Sequence, residues 1–381
     1  MTKDVEEGFY WYWLNNIPRV GNIKIHNLLD RFKSPKNIYS ASFKDYTQVA
    51  KISINDAKQI DLAKKSEYIY NDYKKLIKSD MNFTYPVSND YPKALLNLND
   101  YPVNLFYYGK LADENKPIVS IIGTRECTNY GRKIAYEFGK AFAKMGIQVI
   151  SGMALGVDYY GQKGAIDNGG YSLGVLGCGV DLCYPRYNYD LYEKLKIKGG
   201  VLSEYKPHTP AIPASFPMRN RIISGLSDAI VVVEARRKSG TKITVEHALE
   251  NGKDIFVVPG RIGDELSYGC LEMLSDGANL ILEPADICKC ERVKEKLFNS
   301  SQSKTISSQN TQFRHNSLNS PIASPRNMVY SELDLYPCSL DDLVKKTGLP
   351  LSNVVENLLE LELEGLVEET AKNYYAKIQI S

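Results

Sequence analysis

Residues 117–146, "PIVSIIGTRECTNYGRKIAYEFGKAFAKMG", contain the pattern that decides the fold. An apolar run ends at Gly123-Thr124-Arg125, and a helical pattern begins near Gly131. The stretch therefore predicts a strand, a tight turn and a helix. Because the N-terminus of a helix carries free N–H groups and a partial positive charge, this turn is a natural site for an anion.

Further apolar runs alternate with helical segments between about residues 115 and 283. Most of these runs are apolar throughout, which is typical of strands that helices cover on both faces. The alternation predicts an α/β domain with a doubly wound, mostly parallel sheet. The predicted strands lie in "PIVSIIG", "IQVISG", "SLGVLG", "GGVLSE", "DAIVVVEA", "DIFVVPG" and "NLILE".

The regions on either side of this pattern predict flanking domains. Residues 1–70 look helical, either as a simple packing domain or as a SAM-like or helix-hairpin-helix module that holds a DNA backbone. Residues 71–290 form the α/β domain. Residues 291–327 are assigned to a flexible linker, because most of them are polar and the run from 298 on carries no acid. Residues 328–381 have the order of a winged helix: helix, turn, longer helix and hairpin.

This winged helix carries a charge that does not suit DNA. Between Ser331 and Thr370 there are ten acids and two lysines. Glutamates beside the second helix would repel phosphates. We therefore interpret the domain as a protein-contact or dimer module despite its DNA-binding shape. The glutamates are Glu356, Glu360, Glu362 and Glu364.

Composition places few limits on function. The 381-residue chain is 43% hydrophobic and 24% charged, with a net charge of +2, which is ordinary for a globular protein. No apolar run approaches the length of a membrane span, and acids stand where a signal peptide needs basic residues, so we expect a cytoplasmic protein. The seven scattered cysteines predict reduced thiols. The close pair Cys288 and Cys290 has no partner pair nearby, so we expect no metal site.

Glycine-rich and basic turns follow several predicted strands. The carboxyl ends of parallel strands meet at one edge of a sheet, where ligands bind. Backbone N–H groups beside glycines, together with guanidinium groups, suit phosphate oxygens. Asp158 is expected to cap the helix after the second turn. The candidate phosphate-binding residues are Gly123, Thr124, Arg125, Ser151, Gly152, Gly156, Arg219, Asn220, Arg221, Ser239, Gly240, Thr241 and Lys242.

Motifs for other chemistries are missing from the sequence. The first turn is not G-x-G-x-x-G and no acid ends the second strand, which disfavours a hydride-transfer enzyme. No P-loop motif occurs. We find no acid–base pair, and His247 falls within a helix pattern, so we expect no catalytic residue and no cofactor. Tyr130, Tyr159 and Tyr160 are candidates for stacking bases beside the phosphate site.

Together these motifs closely resemble the DprA/Smf family of DNA-processing proteins. The resemblance runs from about Tyr85 to Leu282 and includes "SIIGTR", "SGMALGVD", "GVLGCGVDLCYP" and "FPMRNRIISGLSDAIVVVEARRKSGTKITVEHALENGKDIFVVPG". It implies an extended Rossmann-like fold that binds single-stranded DNA without catalysis. It also implies a homodimer formed through this domain, and loading of RecA recombinase onto incoming DNA during natural transformation.

Several residues match the motifs of this family. The Gly-Ser/Thr-Arg motif, whose arginine contacts the DNA backbone, matches Gly123 to Arg125. An Arg-Asn-Arg segment matches Arg219 to Arg221, and a later turn matches Ser239 to Thr241. Gln162 stands where many relatives have histidine, so a histidine-dependent step is not expected here.

Two alternatives use the same sheet edge. The first is a nucleotide hydrolase, because the predicted fold resembles that of the LOG phosphoribohydrolases, but Thr244 stands where their motif has glutamate. Glu246 lies two residues further along and would face elsewhere on a helix. The second alternative is a module that senses a small nucleotide in the same pocket.

Overall fold

The computed structural model describes residues 3–305, 325–333 and 338–377. The chain divides into two compact units, Met1–Gln309 and Asn310–Ser381. Each unit is described by itself below.

The first unit begins with helices that share a core with the sheet that follows them. Trp13 and Leu28 are fully buried and belong to the same apolar cluster as Phe106 of the sheet. The predicted boundary near residue 70 is therefore not a division between compact units. The helices are α1 Lys3–Asn15, α2 Asn22–Phe32, α3 Pro35–Ser40, α4 Phe43–Tyr46, α5 Ile54–Lys64 and α6 Glu67–Leu76.

A mixed sheet forms the centre of the first unit. Its strand order is β1-β2-β6-β5-β4-β3-β7-β8-β9, with β1 and β2 antiparallel to their neighbours and the other pairs parallel. This confirms the predicted α/β class, and every predicted strand is present. The strands are β1 Asn82–Thr84, β2 Leu105–Gly109, β3 Ile118–Ile122, β4 Gln148–Ser151, β5 Ser172–Leu176, β6 Gly200–Ser203, β7 Ala229–Val232, β8 Asp254–Val257 and β9 Asn279–Leu280.

The direction of the winding reverses at β3. The chain proceeds from β3 to β4, β5 and β6 on one side, and β7 lies against the other side of β3. Such a switch point opens a crevice at the carboxyl ends of the strands, where ligands bind in open α/β sheets. The connecting helices are α7 Asn129–Met145, α8 Val157–Asp167, α9 Tyr189–Lys198, α10 Ser215–Leu226, α11 Gly240–Glu250 and α12 Tyr268–Ser275.

The next helix, α13 Glu291–Thr305, occupies the first part of the segment predicted to be a linker. Val293 is fully buried and Leu297, one turn later, packs on the same apolar cluster. The Lys296 ammonium group donates to the carboxylate of Asp228 at 2.8 and 2.9 Å. The structure therefore does not support a flexible linker over residues 291–305. Two apolar side chains, Val293 and Leu297, lie one turn apart and hold this helix against the core. Residues 306–324 of the predicted linker lie outside the described residues.

The second unit has the order of a winged helix, as the sequence predicted. Three strands form an antiparallel sheet in the order β10-β12-β11. Val354, Leu358 and Leu361 form its core with Leu343 and Val367. Residues 334–337 and 378–381 of the predicted domain lie outside the described residues. The elements are α14 Pro325–Glu332, β10 Cys338–Ser339, α15 Leu340–Thr347, α16 Leu351–Leu363, β11 Val367–Ala371 and β12 Tyr374–Lys377.

Across the described ranges, no helix is both long enough and apolar enough to cross a membrane.

The packing of α13 predicts a measurable cost when its buried side chain is shortened. We expect Val293→Ala to lower the free energy of unfolding by about 2 kcal/mol, because it removes buried methyl groups and leaves a cavity. The control is Glu295→Ala, at an exposed position of the same helix, which should change it little. Urea denaturation measures both, and equal stabilities for the two variants would show that α13 contributes nothing to the core.

Candidate functional site

A cavity of about 580 Å³ lies at the switch point of the sheet. Residues that follow β3, β4 and β7 line it, together with the first turns of α10 and α11. The cavity thus occupies the sheet edge at which the sequence placed a ligand. The predicted residues that line it are Gly123, Thr124, Arg125, Arg219, Asn220, Ser239, Gly240 and Thr241.

Two helices point their N-termini at this cavity. α10 begins after Ala214, whose methyl group cannot cap a helix; in its first turn the N–H of Ser215 donates to the carbonyl of Ile212 at 3.0 Å, and Pro217 has no N–H. α11 begins after Ser239, whose hydroxyl accepts from the backbone N–H of Thr241 at 3.1 Å. The partial positive charges of both helix ends therefore face the same space, which favours an anion.

Arg125 supplies an exposed positive charge to the cavity. Its side chain is exposed, and its guanidinium group lies 5.4 Å from the ring centre of Phe216. Within the described residues it forms no ion pair. Arg236, by contrast, is paired with Glu126 at 3.1 Å and Glu265 at 3.6 Å. Arg125 is therefore the lining cation whose charge is free to bind a phosphate.

Arg219 lies at the floor of the cavity and is 5% exposed. Its Nη1 donates to the carbonyl of Gly152 at 2.8 Å and to the carbonyl of Val175. Burial lowers the pKa of its guanidinium group to about 10, so the group stays charged at neutral pH. Arg219 therefore joins the ends of β4 and β5 while adding positive charge beneath the cavity.

The sequence predicted that Asp158 caps α8, but its carboxyl group lies in the interior, where it interacts electrostatically with Arg219. The capping residue is Gly156, and Asp158 lies inside the helix. Its carboxylate accepts from the backbone N–H of Gly152 at 3.0 Å. Burial raises the pKa of the Asp158 carboxyl, and the positive charge of Arg219 counteracts that rise. Asp158 was misassigned because its partner on α10 is distant in sequence.

Three predicted ligand residues on the second turn hold the loops together and do not line the cavity. The Ser151 hydroxyl is buried and donates to the carbonyl of Ile121 at 2.7 Å. A Cβ on Gly152 would lie 2.6 Å from the Arg219 guanidinium group. A Cβ on Gly156 would lie 2.4 Å from the carbonyl oxygen of Thr124. The missing side chains of the two glycines and the hydrogen bond of Ser151 allow the first and second turns to lie close together.

Arg221 and Lys242 are also outside the lining of the cavity. Arg221 is 4% exposed and forms ion pairs with Glu204 and, at 3.1 Å, with Asp100. Lys242 binds the carboxylate of Glu272 at 2.8 Å. Both cations are occupied by carboxylates that lie far away in sequence, which their local pattern did not indicate.

The aromatic side chains of the cavity are not the predicted ones. Phe216 and Tyr184 line it, with ring centres 5.4 Å apart and planes 31° apart. Tyr130, Tyr159 and Tyr160 do not line it. One signal for Phe216 was present in the sequence, since it precedes Asn220 by four residues and so shares its helix face.

Buried polar residues outside the lining position the turns. Glu234, just after β7, accepts from the backbone N–H of Thr128 at 2.9 Å and so secures the start of α7. Its backbone carbonyl accepts from the N–H of Thr124 at 2.8 Å. Gln162 is fully buried and binds the backbone of Met153 at 3.1 Å and of Leu173 at 3.1 Å. Gln162 is therefore a structural amide that ties the second turn to β5.

Sequence comparisons match both units to described families. Residues 82–292 match the family described as DNA recombination-mediator protein A. Residues 316–371 match the family described as DprA winged helix domain. The first match covers more than half of the chain and includes the residues that line the cavity.

Individual relatives agree with these matches. The chain is 38% identical over 197 residues to the DNA processing protein DprA of Streptococcus pneumoniae, covering 52% of this chain and 70% of that protein. It is 27% identical to the Smf protein of Synechocystis, covering 95% and 97% of the two chains. The X-ray structure of DprA from Streptococcus pneumoniae superposes with a TM-score of 0.67 at 30% identity, covering 74% of this chain and 97% of that chain.

The close approach of the two turns predicts a specific sensitivity at Gly156. Its φ is +77°, and the added methyl group of Gly156→Ala would collide with the carbonyl oxygens of Thr124 and Arg125. We expect a loss of at least about 3 kcal/mol in the free energy of unfolding. The measurement is urea denaturation.

Gly146 provides the control for this substitution. Its φ is +76°, but a Cβ there would meet nothing within 4 Å. Gly146→Ala should therefore cost only the backbone term, about 1 kcal/mol. An equal loss at both positions would contradict the close contact between the two turns.

Proposed function

The chain belongs to the DNA recombination-mediator protein A family, and we propose that its first unit binds single-stranded DNA in the cavity at the switch point. The observation that carries the proposal is the meeting, in one cavity, of two helix N-termini, an unpaired arginine and a pair of aromatic rings. No element of this set is specific to a base sequence, so the proposal is a binder that accepts any sequence.

The charged groups account for binding to the backbone of the strand. Arg125 offers a planar guanidinium group that suits a phosphate bidentately. The N-termini of α10 and α11 add partial positive charge. Gly240 leaves open space at the start of α11, so a phosphate can approach the backbone there. We therefore propose that the anion bound beside the turn at Gly123 to Arg125 is a phosphodiester group of DNA.

The aromatic pair accounts for a preference for single strands. Phe216 and Tyr184 are accessible beside Arg125, and unpaired bases expose faces that stack on such rings. In a duplex these faces are already stacked within the helix. Asn220 adds amide N–H donors that have no partner within the described residues, and these are available to a base or a phosphate.

We propose that the protein acts without catalysis. Thr244 lines the cavity at the position where the LOG motif has its glutamate. The nearby Glu246 is exposed and does not line the cavity. The carboxylates that do line it, Asp158 and Glu126, bind Gly152 and Arg236. Hydrolysis of a nucleotide is therefore not the function that this geometry favours.

The resemblance noted above extends the proposal to the partners of the protein. We propose that it forms a homodimer through the first unit and loads RecA recombinase onto incoming single strands during natural transformation. A cytoplasmic location stays a prediction of the sequence. Light scattering tests the dimer, and a RecA-loading assay on a strand coated with single-strand-binding protein tests the mediator role.

The first experiment compares labelled oligo-dT with a matched duplex by fluorescence anisotropy at one stated salt concentration. We expect clear preference for the single strand. Binding to neither would contradict the proposal and favour a small-nucleotide ligand, which thermal stabilisation by free nucleotides would then reveal.

Arg125→Ala should weaken binding to oligo-dT by about tenfold, because it removes a charged hydrogen bond to a phosphate. The loss should be the same for mixed sequences, since a phosphate contact carries no base information. The plot of log affinity against log salt should become less steep by about 0.7. Arg292→Ala, at an exposed position of α13, is the control and should change neither quantity. Unchanged affinity in Arg125→Ala would remove this residue from the site.

Truncation after Gln309 removes the acidic second unit and should leave the affinity for oligo-dT unchanged within about twofold, because acidic side chains add no attraction to phosphates. The measurement is the same anisotropy titration. A loss of tenfold or more would show that the second unit contributes to DNA binding.

A further inference from the structure

The second unit exposes a line of leucines along α16. Leu351, Leu359 and Leu363 are 53%, 55% and 83% exposed, and the half-buried Val355 lies between them. Residues four apart lie on one face of a helix. An adjacent face of α16, with Val354, Leu358 and Leu361, already packs in the core of the unit, so this line is a second apolar surface that the core does not use.

Glutamates flank this line on both sides. Glu356, Glu360 and Glu362 are exposed and form no ion pair within the described part of the unit. α16 carries no lysine or arginine, and the neighbouring strand β11 adds the exposed Glu368 and Glu369. The outer face of α16, defined by the leucine line and these glutamates of the helix, is therefore both apolar and acidic.

The leucines and glutamates on the outer face of α16 are not suited to binding DNA. In DNA-binding helix-turn-helix proteins, the second helix of the motif enters the major groove, and α16 is that helix here. Leucines do not hydrogen-bond base edges, and glutamates repel phosphates. An anionic membrane surface is repelled for the same reason. A second copy of the same face would bring like charges together.

We propose that the outer face of α16 is a docking surface for a cationic amphipathic helix of another protein. Leucine-like side chains of that helix would pack along the line from Leu351 to Leu363, as in other helix-in-groove complexes. Its lysines or arginines would lie beside Glu356, Glu360 and Glu362. The second unit thus recruits a basic protein partner, independently of the DNA cavity in the first unit.

The test uses the full-length protein and a defined probe. The probe is a fluorescein-labelled synthetic helical peptide of leucine and lysine, with leucines at spacings of three and four residues. A second peptide replaces every lysine with glutamate. We expect the lysine peptide to bind, with an affinity that falls as salt rises, and the glutamate peptide not to bind.

Substitutions then locate the binding. The double variant Leu359→Gln, Leu363→Gln should weaken binding of the lysine peptide by at least about tenfold, because it removes two apolar contacts with the docked helix. Leu62→Gln, at a 63% exposed leucine of α5, is the matched control and should have no effect. Because all three leucines are exposed, thermal melting should show the same stability for each variant. Glu356→Gln with Glu360→Gln should weaken binding and flatten its salt dependence.

Three results would overturn the proposal. One is no binding of the lysine peptide to the unaltered protein. Another is binding that the double leucine variant leaves unchanged. The third is self-association of the protein, measured by sedimentation, that the same double variant abolishes, because a second copy would then occupy the face.

Discussion

The buried charge of Arg219 is the constraint on which the site depends. The positive charge of a guanidinium group buried beneath the cavity must be compensated by hydrogen bonds or by opposite charge, because an isolated charge in the interior is costly. Here the carbonyls of Gly152 and Val175 accept its hydrogen bonds, and the carboxyl group of Asp158 interacts with it electrostatically. These groups come from the turn after β4, from β5, from α8 and from α10, so one side chain fixes the relative positions of four segments around the cavity.

This arrangement separates residues that shape the site from residues that are available to a ligand. Ser151, Gly152 and Gly156 allow two turns to touch, and Glu234 secures the start of α7. The groups left accessible are Arg125, Asn220, the start of α11 and the rings of Phe216 and Tyr184. A base held by internal hydrogen bonds, with a few accessible groups above it, suits the strand binding that we propose.

The two units present surfaces of opposite character. The cavity of the first unit combines positive charge with aromatic rings, which suits a nucleic acid. The outer face of α16 in the second unit combines leucines with glutamates, which suits a basic protein. A winged helix therefore does not imply DNA binding by itself, since the charge of its second helix determines what it attracts.

Sequence alone determined the class of the fold and predicted the sheet edge at which the cavity lies. Long apolar runs and the turns after them are local patterns, and they predicted the strands, the parallel sheet, the winged helix and the edge at which Arg125, Ser239 and Gly240 meet. Tertiary structure decided which cations are free. Arg221 and Lys242 looked like Arg125 in sequence, but Glu204, Asp100 and Glu272, all distant along the chain, neutralise them. Tertiary structure also decided the roles of Asp158 and Phe216 and the packing of α13 on the core. Their roles depend on partners that only the folded chain brings within hydrogen-bonding or packing distance, and a local pattern contains no record of such partners.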